Sequence, residues 1–361
     1  MQLRRLWLTD FRCYTELDVE LDPGLTAVVG PNGHGKTNLL EAVAYLATLA
    51  SFRGAPLDAL VRVGADRAVV RAEAERDGRD LLLEAELLVN GRNRTQLNRQ
   101  PLRRARDLLG ALRVTVFSPD DLALVKGSPG ERRTFLDTTL SSLHQRYDEA
   151  RSDLDRVLRQ RGALLKQAGG RLTAEVELTL DVFDAKLVEA GERLADARAD
   201  LVVDLAPDLG AAYDAVARRP AAVVVSYDPP WRREGLAAAL AAARRDDLRR
   251  GVSTVGPHRD DLELVLGGLP ARTHASQGEQ RSLALALRLA SHAVVERRTE
   301  TAPVLLLDDV FSELDPGRSA ALVASLPRGQ AVLTTASGLP PGAEPGRILT
   351  VHDATVVSSS G

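Results

Sequence analysis

The chain has 361 residues, of which 44% are hydrophobic and 27% charged, and its formal net charge is −3 at pH 7. These values are typical of a globular protein of about two structural units, and they argue against a chain that is basic throughout. Any DNA-binding surface would therefore be a local patch. No transmembrane run or apolar signal core stands out, and the single Cys13 excludes an internal disulfide. We expect a cytoplasmic protein without membrane association, with Cys13 as a small buried side chain.

The first elements lead to a phosphate-binding motif. Strands are predicted at 3–11 and 16–21, then a buried strand at 25–29, and a helix at 38–46. Between the last two, residues 30–37 read GPNGHGKT, which fits G-x-x-x-x-G-K-[ST]. Lys36 is expected to reach the β- and γ-phosphates of ATP, and Thr37 to hold Mg²⁺. The candidate ATP-binding residues are Gly30, Pro31, Asn32, Gly33, His34, Gly35, Lys36, Thr37 and Asn38.

Alternating apolar residues after this helix predict a β meander. Strands are expected at 68–74 and 81–89, with hairpin turns at Asp77-Gly78 and Asn90-Gly91. These two strands would form an antiparallel meander beside the nucleotide-binding sheet. Another short strand is predicted at 114–117.

The middle of the chain has a helical period. Apolar residues recur at steps of four and three from 136 to 164, with Arg161 interrupting the pattern, and again from 176 to 201. With the Gly169-Gly170 turn between them, they predict an antiparallel helical hairpin with arms of about 45 Å. Ordinary bundle packing is an alternative. A third helix is predicted at 207–219, a strand at 222–227 and a helix at 233–250.

An acidic pair follows a buried strand near the far end of the chain. Val304 to Leu307 are apolar and lead directly into Asp308 and Asp309. Asp308 is the predicted Mg²⁺ partner, and Asp309 is placed to act as general base for the attacking water. Because Lys36 and Asp308 must meet, the helical middle is an insertion. The predicted units are a split nucleotide-binding lobe (1–125 and 300–361) and a helical lobe (126–299).

A third motif lies before the predicted helix at 282–297. Ser276 and Glu279 have the spacing of a capping box, and such a helix start is also an anion site. The stretch Ser276-Gln277-Gly278-Glu279 resembles the signature motif of ABC-type ATPases, and residues 312–315, which end at Asp315, resemble their D-loop. The resemblance implies an α/β P-loop ABC-type head with an antiparallel meander and an inserted helical lobe. It also implies an ATP-dependent homodimer, in which Ser276, Gln277, Gly278 and Asp315 contact the ATP bound by the other subunit.

Several further segments resemble the RecF family of bacterial recombination mediators, which are related to SMC proteins. They are residues 30–42, 116–122, 132–137, 256–261 and 275–281. The resemblance implies binding to double-stranded DNA near single-strand gap junctions in the nucleoid. It further implies cooperation with RecR and RecO in loading a recombinase during DNA repair and replication restart.

Three departures from transporter-type heads predict slow ATP hydrolysis, and we expect DNA to stimulate it. Phe117-Ser118 lacks the Q-loop glutamine, Thr334-Thr335 stands where a Thr-His switch is expected, and Asp309 is one methylene shorter than Glu. The first two departures argue against an ABC transporter nucleotide-binding subunit, and the helical stripes are too short for a full SMC tether. A non-hydrolysing ATP-gated DNA clamp stays open as an alternative.

A run of arginines supplies the candidate DNA surface. It comprises Arg92, Arg94, Arg99, Arg103, Arg104 and Arg106, with Arg132 and Arg133 further on. No aromatic residues are interleaved, which favours backbone contacts to duplex DNA over base stacking. A solvated loop face is the alternative. For residues 256–261 a place near the nucleotide at the dimer seam and a simple tight loop are equally open.

Overall fold

The computed structural model describes residues 1–360 and contains three β-sheets and two groups of helices. The strands are β1 (Gln2–Phe11), β2 (Tyr14–Glu20), β3 (Leu25–Val29), β4 (Arg67–Arg76), β5 (Arg79–Leu88), β6 (Arg94–Leu97), β7 (Gln100–Pro101), β8 (Val114–Phe117), β9 (Val223–Ser226), β10 (Glu263–Leu266), β11 (Leu269–Pro270), β12 (Val304–Asp308), β13 (Ala331–Thr335), β14 (Arg347–His352) and β15 (Thr355–Ser360). The helices are α1 (Lys36–Thr48), α2 (Leu122–Lys126), α3 (Pro129–Leu143), α4 (Gln145–Ala168), α5 (Ala174–Ala217), α6 (Leu236–Arg250), α7 (Ala271–His274), α8 (Gln277–Thr299) and α9 (Pro316–Ser325). Within residues 1–360, no helix combines the length and apolar character needed to cross a membrane.

The predicted meander is part of an antiparallel sheet with the strand order β2-β1-β4-β5-β6-β7. Buried and exposed residues alternate along β4 and β5, so that one face packs on the core. Asp77 and Gly78 both have positive φ (52° and 74°) and join β4 to β5 as a two-residue turn. This conformation is that of a type I′ hairpin, and the predicted turn is confirmed.

A second sheet positions the nucleotide motifs. Its strand order is β15-β14-β3-β13-β12-β8, and β14, β3, β13, β12 and β8 run parallel. Every residue of β12 and β13 is buried, as expected for the centre of a parallel sheet. The carboxyl ends of β3, β13 and β12 therefore lie side by side at one edge, which brings the loop after β3 close to Asp308.

The helical middle differs from the predicted hairpin in two places. The first set of regularly spaced apolar residues (136–164) is divided between α3 and α4, which are separated by His144. The His144 backbone is extended (φ −161°, ψ 137°), and its Nδ1 accepts a hydrogen bond from the Arg146 N–H. The Gly169-Gly170 turn is confirmed, with φ of 55° and 83°. The prediction of a separate helix at 207–219 is wrong. The helix α5, which is 44 residues long in total, runs through Pro207 without a break and ends at Ala217. Proline removes one backbone N–H from the helix, and packing of α5 along α8 holds it together.

The residues that form each hydrophobic core come from the parts of the chain expected for an inserted lobe. One cluster combines residues from 3–112 with residues from 304–351, and another comes entirely from 124–294. A smaller third cluster joins them and includes Phe117, Val216, Leu285 and Leu305. Both ends of the chain thus build one core, whereas the exact limits of the predicted lobes (1–125 with 300–361, and 126–299) stay a prediction.

The interruption at Arg161 is a buried ion-pair cluster that joins α4, α5 and α6. The Arg161 side chain is fully buried, its Nε donates to Asp184 Oδ1 (2.7 Å), and its Nη1 donates to Asp247 Oδ2 (2.7 Å). Nη1 also donates to the Ser253 hydroxyl oxygen (2.9 Å). A single charged residue in the apolar stripe therefore ties three helices together.

Candidate functional site

The phosphate-binding loop connects β3 to α1 and closes around the Lys36 side chain. Its Nζ donates to the carbonyl oxygens of Gly30 and Pro31, both at 2.8 Å. Gly35 has φ of 114°, and a Cβ there would lie 2.8 Å from Cys13 Sγ and 2.9 Å from Tyr14 Oη. Only glycine fits this position, because any larger residue would collide with β1–β2 while adopting a disfavoured backbone conformation.

The acidic pair meets the loop as predicted. Thr37 Oγ1 donates to Asp308 Oδ1 at 2.8 Å, although the two residues are 271 positions apart in the chain. Thr334 Oγ1 donates to the same oxygen at 2.9 Å. Burial raises the pKa of Asp308, and the hydrogen bonds from Thr37 and Thr334 oppose this shift. The buried carboxylate and the adjacent hydroxyl are oxygen donors of the kind that Mg²⁺ prefers.

Asp309 is half-buried and turns away from β12 in the left-handed conformation, with φ of 47°. Its backbone N–H donates to Thr334 Oγ1 at 2.9 Å. Burial lowers the pKa of Lys36, and the nearby carboxylates of Asp309 and Asp308 oppose this shift. The sheet edge therefore places the Lys36 ammonium group between the phosphate-binding loop and two acids.

Two contributors to this site carried no assigned role in the sequence. Thr334 lies in β13, between β3 and β12, and its hydroxyl contacts the Asp308 carboxylate and the Asp309 backbone N–H. The charge of Arg53 lies near enough to lower the pKa of Asp308, against the larger raising effect of burial. Both follow from the strand order and the loop after α1, which a local motif does not report. Cys13 was expected to be buried, and this is wrong: it is exposed beside the loop, where Asn38 Nδ2 donates to its Sγ at 3.2 Å.

The predicted signature residues lie at the exposed start of α8. Ser276 and Glu279 form the expected capping box, with the Ser276 N–H donating to Glu279 Oε2 at 2.8 Å. Gln277 is exposed, and Gly278 faces Arg318, since a Cβ at residue 278 would lie 2.6 Å from its Nη1. Among the described residues, no hydrogen bond joins Ser276 to the phosphate-binding loop of its own subunit.

Asp315 caps α9, where its Oδ1 accepts from the Arg318 N–H at 2.9 Å. Its side chain is exposed, as is that of Ser276. The structure thus brings together the loop, Asp308 and Asp309, and leaves Ser276 and Asp315 on the surface.

The segment after β8 links the nucleotide sheet to α8. Asp121 is buried, and its Oδ1 accepts from Nε and Nη2 of Arg288 at 3.0 and 2.6 Å. Its Oδ2 accepts from the Ser118 N–H. This ion pair lies between the two hydrophobic cores. It follows β8, at the place in the chain where transporter heads carry their Q-loop glutamine.

Part of the predicted arginine surface is not a free surface. Arg132 is buried and pairs with Asp261 at 2.6 Å, and Arg133 Nη1 donates to the Asp260 carbonyl oxygen. Arg132 is therefore not available to DNA, and half-buried Arg133 is turned toward the 256–261 loop. Arg94 and Arg104 are exposed but pair with acids, whereas Arg92, Arg99 and Arg103 are exposed with no ion pair among residues 1–360.

The loop at 256–261 is built into the helical lobe. Asp260 accepts from Tyr227 Oη (2.5 Å) and from Trp231 Nε1 (2.8 Å). His258 bonds the Ser253 carbonyl oxygen, and burial lowers the pKa of His258 to about 4. These contacts support the structural interpretation of the loop.

Comparison with known proteins agrees with this architecture. Residues 2–334 match the family model described as RecF/RecN/SMC N terminal domain. Two proteins named DNA replication and repair protein RecF are each 46% identical to the chain: the match covers 99% of both chains for Streptomyces avermitilis and 93% of both for Kineococcus radiotolerans.

Solved structures give the same result. One described as the recombination mediator protein RecF with ATP in the RecFOR pathway has a TM-score of 0.91 at 28% identity, covering 99% of this chain and 98% of that one. The Smc head domain from Pyrococcus furiosus has a TM-score of 0.58 at 17% identity, covering 99% and 96%, and supports the fold alone. With the phosphate-binding loop, the acidic pair and the inserted helical lobe in place, the chain belongs to the RecF family of SMC-related ATPases.

Proposed function

We propose that this protein is an ATP-dependent DNA-binding protein of recombinational gap repair and replication restart. Its ATP-bound homodimer would engage duplex DNA near single-strand gaps and help to load a recombinase. The observation that carries the proposal is the 2.8 Å hydrogen bond from Thr37 to Asp308, which assembles both halves of an ATPase site from opposite ends of the chain. Family membership and the likeness to RecF with ATP support the same function.

In this proposal each residue at the sheet edge has one task. Lys36 releases its contacts with the carbonyl oxygens of Gly30 and Pro31 and binds the β- and γ-phosphates instead. The remaining loop residues, Asn32, Gly33, His34, Gly35 and Asn38, surround the triphosphate. Thr37 and Asp308 would hold Mg²⁺, which neutralises phosphate charge when bound. Asp309 orients the attacking water and accepts its proton.

Hydrolysis is expected to be slow because Asp309 is one methylene shorter than Glu and Thr335 stands in the place of the switch histidine. Thr334 contacts the Asp309 backbone N–H and does not hold its carboxylate. Binding of ATP would close the dimer, and hydrolysis would open it. We expect turnover below the typical enzyme median of about 10 s⁻¹, with stimulation by DNA.

The dimer is proposed from the exposure of the signature residues. Ser276, Gln277, Gly278 and Asp315 lie outside the site of their own subunit, and Ser276 sits at the N-terminus of a 23-residue helix, where an anion is stabilised. Each would contact the ATP of the partner subunit, so that two ATP molecules lie between two chains.

Oligomer mass measured with ATP, ADP or no nucleotide tests this arrangement. We expect ATP alone to double the 38.9 kDa mass of the wild type. Lys36→Arg should lose both ATP binding and the dimer, whereas Ser276→Arg should keep ATP binding and lose the dimer, since it alters only the surface that meets the partner. A dimer indifferent to nucleotide in all three proteins would overturn the proposal.

Duplex DNA is proposed to bind at Arg92, Arg99 and Arg103, at the β6–β7 edge of the antiparallel sheet. The Arg92 Nη2 donates to the Arg103 carbonyl oxygen at 3.1 Å, which places the Arg92 side chain beside the Arg103 backbone. Three unpaired guanidinium groups would contact phosphates without reading sequence.

Changing all three to Glu should weaken binding to gapped duplex and lower the salt slope by about 0.9 per lost contact. The matched control is Arg159→Glu, Arg171→Glu and Arg245→Glu, which changes the net charge equally on the helical lobe. DNA titrations at several salt concentrations make the comparison. Equal weakening in both proteins would mean that only net charge matters and would remove this surface.

RecR and RecO are the proposed protein partners, because the RecF structures are described as belonging to the RecFOR pathway. A cytoplasmic, nucleoid-associated location follows from the DNA-repair role. The proposals about RecR and RecO and about location do not depend on whether DNA binds at Arg92, Arg99 and Arg103.

A further inference from the structure

We propose that His34, His352 and Asp353 form a binding site for a divalent transition-metal ion such as Zn²⁺, between the phosphate-binding loop and the β14–β15 hairpin. His34 belongs to the loop, His352 ends β14, and Asp353 is in the hairpin turn. One donor atom from each lies within 4.8 Å of the others. The site is separate from the oxygen donors Thr37 and Asp308.

The distances between donor atoms suit a small ion. His34 Nδ1 lies 3.0 Å from Asp353 Oδ1, and His352 Nδ1 lies 3.3 Å from Asp353 Oδ2. Ligands at about 2.0–2.2 Å from a tetrahedral ion are separated by about 3.3–3.6 Å, so a single ion can bind all three residues once their side chains adjust from present separations of up to 4.8 Å. The two imidazole rings are already adjacent, with centroids 4.8 Å apart.

The ligand types select the class of metal. Two imidazoles and one carboxylate suit Zn²⁺, Ni²⁺, Co²⁺ or Cu²⁺, whereas Mg²⁺ and Ca²⁺ prefer oxygen donors alone. His352 and Asp353 are exposed, which leaves a position for water as the fourth ligand. The ion can therefore enter directly from solvent.

Backbone contacts hold the ligands in place before a metal arrives. The Asp353 N–H donates to His34 Nδ1 at 2.9 Å, and the Ala354 N–H donates to the His34 carbonyl oxygen at 3.2 Å. An N–H donor requires a lone pair on Nδ1, which is the lone pair that a metal takes. Binding therefore replaces one hydrogen bond at an exposed turn, and the freed N–H is solvated.

The hairpin also lies against the start of the loop. A Cβ at Gly30 would lie 2.1 Å from the Val351 carbonyl oxygen, so the two backbones are in direct contact. Asp353 and Ala354 both have positive φ (46° and 59°), as the two-residue turn between β14 and β15 requires, and both donate backbone hydrogen bonds to His34. A bound metal would fasten the hairpin to the phosphate-binding loop.

Titration with Co²⁺ tests the site without nucleotide, so that a failure here is distinct from a failure of the ATPase proposal. Excess Mg²⁺ in the buffer occupies oxygen-only sites. We expect one equivalent of Co²⁺ with d–d absorption bands, displacement by Zn²⁺, and a Zn²⁺-dependent rise in Tm. His352→Ala and Asp353→Asn should each weaken binding at least about tenfold, because even second-shell changes cost about that much.

The matched control is His274→Ala, which removes another exposed histidine and should bind Co²⁺ like the wild type. Circular dichroism and Tm without metal show whether each variant is folded. Absence of the bands in the wild type, or bands that persist in both His352→Ala and Asp353→Asn, would overturn the proposal and leave these residues as a hydrogen-bonded contact only.

Discussion

Replacing Asp309 by Asn is expected to lower the rate of ATP hydrolysis by about 10²- to 10⁴-fold, the usual contribution of a general base, while ATP binding is kept. Asparagine has the same shape and tolerates the left-handed backbone that Asp309 adopts, with φ of 47°. The N–H contact with Thr334 is also unchanged, so the substitution removes only the basic oxygen. Phosphate release and equilibrium binding of a fluorescent ATP analogue measure the two effects separately.

Two further variants serve as controls for this result. Asp309→Glu retains a carboxylate, one methylene longer, so its hydrolysis should be far faster than that of Asp309→Asn. Asp308→Asn should weaken Mg²⁺-dependent ATP binding, because it removes the acid that Thr37 contacts. Hydrolysis by Asp309→Asn at the wild-type rate would exclude Asp309 as the base. A wild type that binds ATP with no turnover, with or without DNA, would instead support the non-hydrolysing clamp.

Replacing Arg161 by Met is expected to destabilise the helical lobe by about 3–5 kcal/mol. The substitution preserves the apolar stem but leaves Asp247 buried without its cation, 2.7 Å from where Arg161 Nη1 now lies. Asp184 keeps a contact with Arg244, so the main loss falls on Asp247. Urea unfolding followed by circular dichroism measures the change.

The matched control is Arg159→Met, an exposed arginine on the same helix that should change stability by no more than about 0.5 kcal/mol. The double variant Arg161→Met with Asp247→Asn should recover part of the loss, because it removes the uncompensated charge. If Arg161→Met were as stable as the wild type, the buried cluster would not hold the helices together.

Motifs made of consecutive residues were predicted well. The strand, loop and helix around Lys36 depend on glycine positions and on apolar runs that are visible in one short window, and the structure places Thr37 against Asp308 as expected. The Gly169-Gly170 turn and the Asp77-Gly78 hairpin were predicted for the same reason, since glycine and aspartate favour positive φ. Membership in the RecF family was also apparent from such motifs together.

Local patterns failed where packing overrides propensity. Pro207 is predicted to begin a helix, yet it lies inside α5. Contacts between α5 and α8 stabilise the helix by more than the loss of one backbone hydrogen bond at proline destabilises it. Arg132 is predicted to be part of a DNA-binding surface, yet its side chain is buried against Asp261. A charged residue has the same local signature whether it faces water or a buried partner.

The sequence alone identified the phosphate-binding loop and the acidic pair, because each is a run of adjacent residues. It also identified the inserted helical lobe, because the two motifs must meet and the helical segments lie between them. Only the folded arrangement showed that Thr334 bonds both acids, that Arg161 joins three helices, and that His34 meets the β14–β15 hairpin. These contacts join residues from 23 to 319 positions apart. Their geometry depends on strand order and helix packing, which no single stretch of sequence contains.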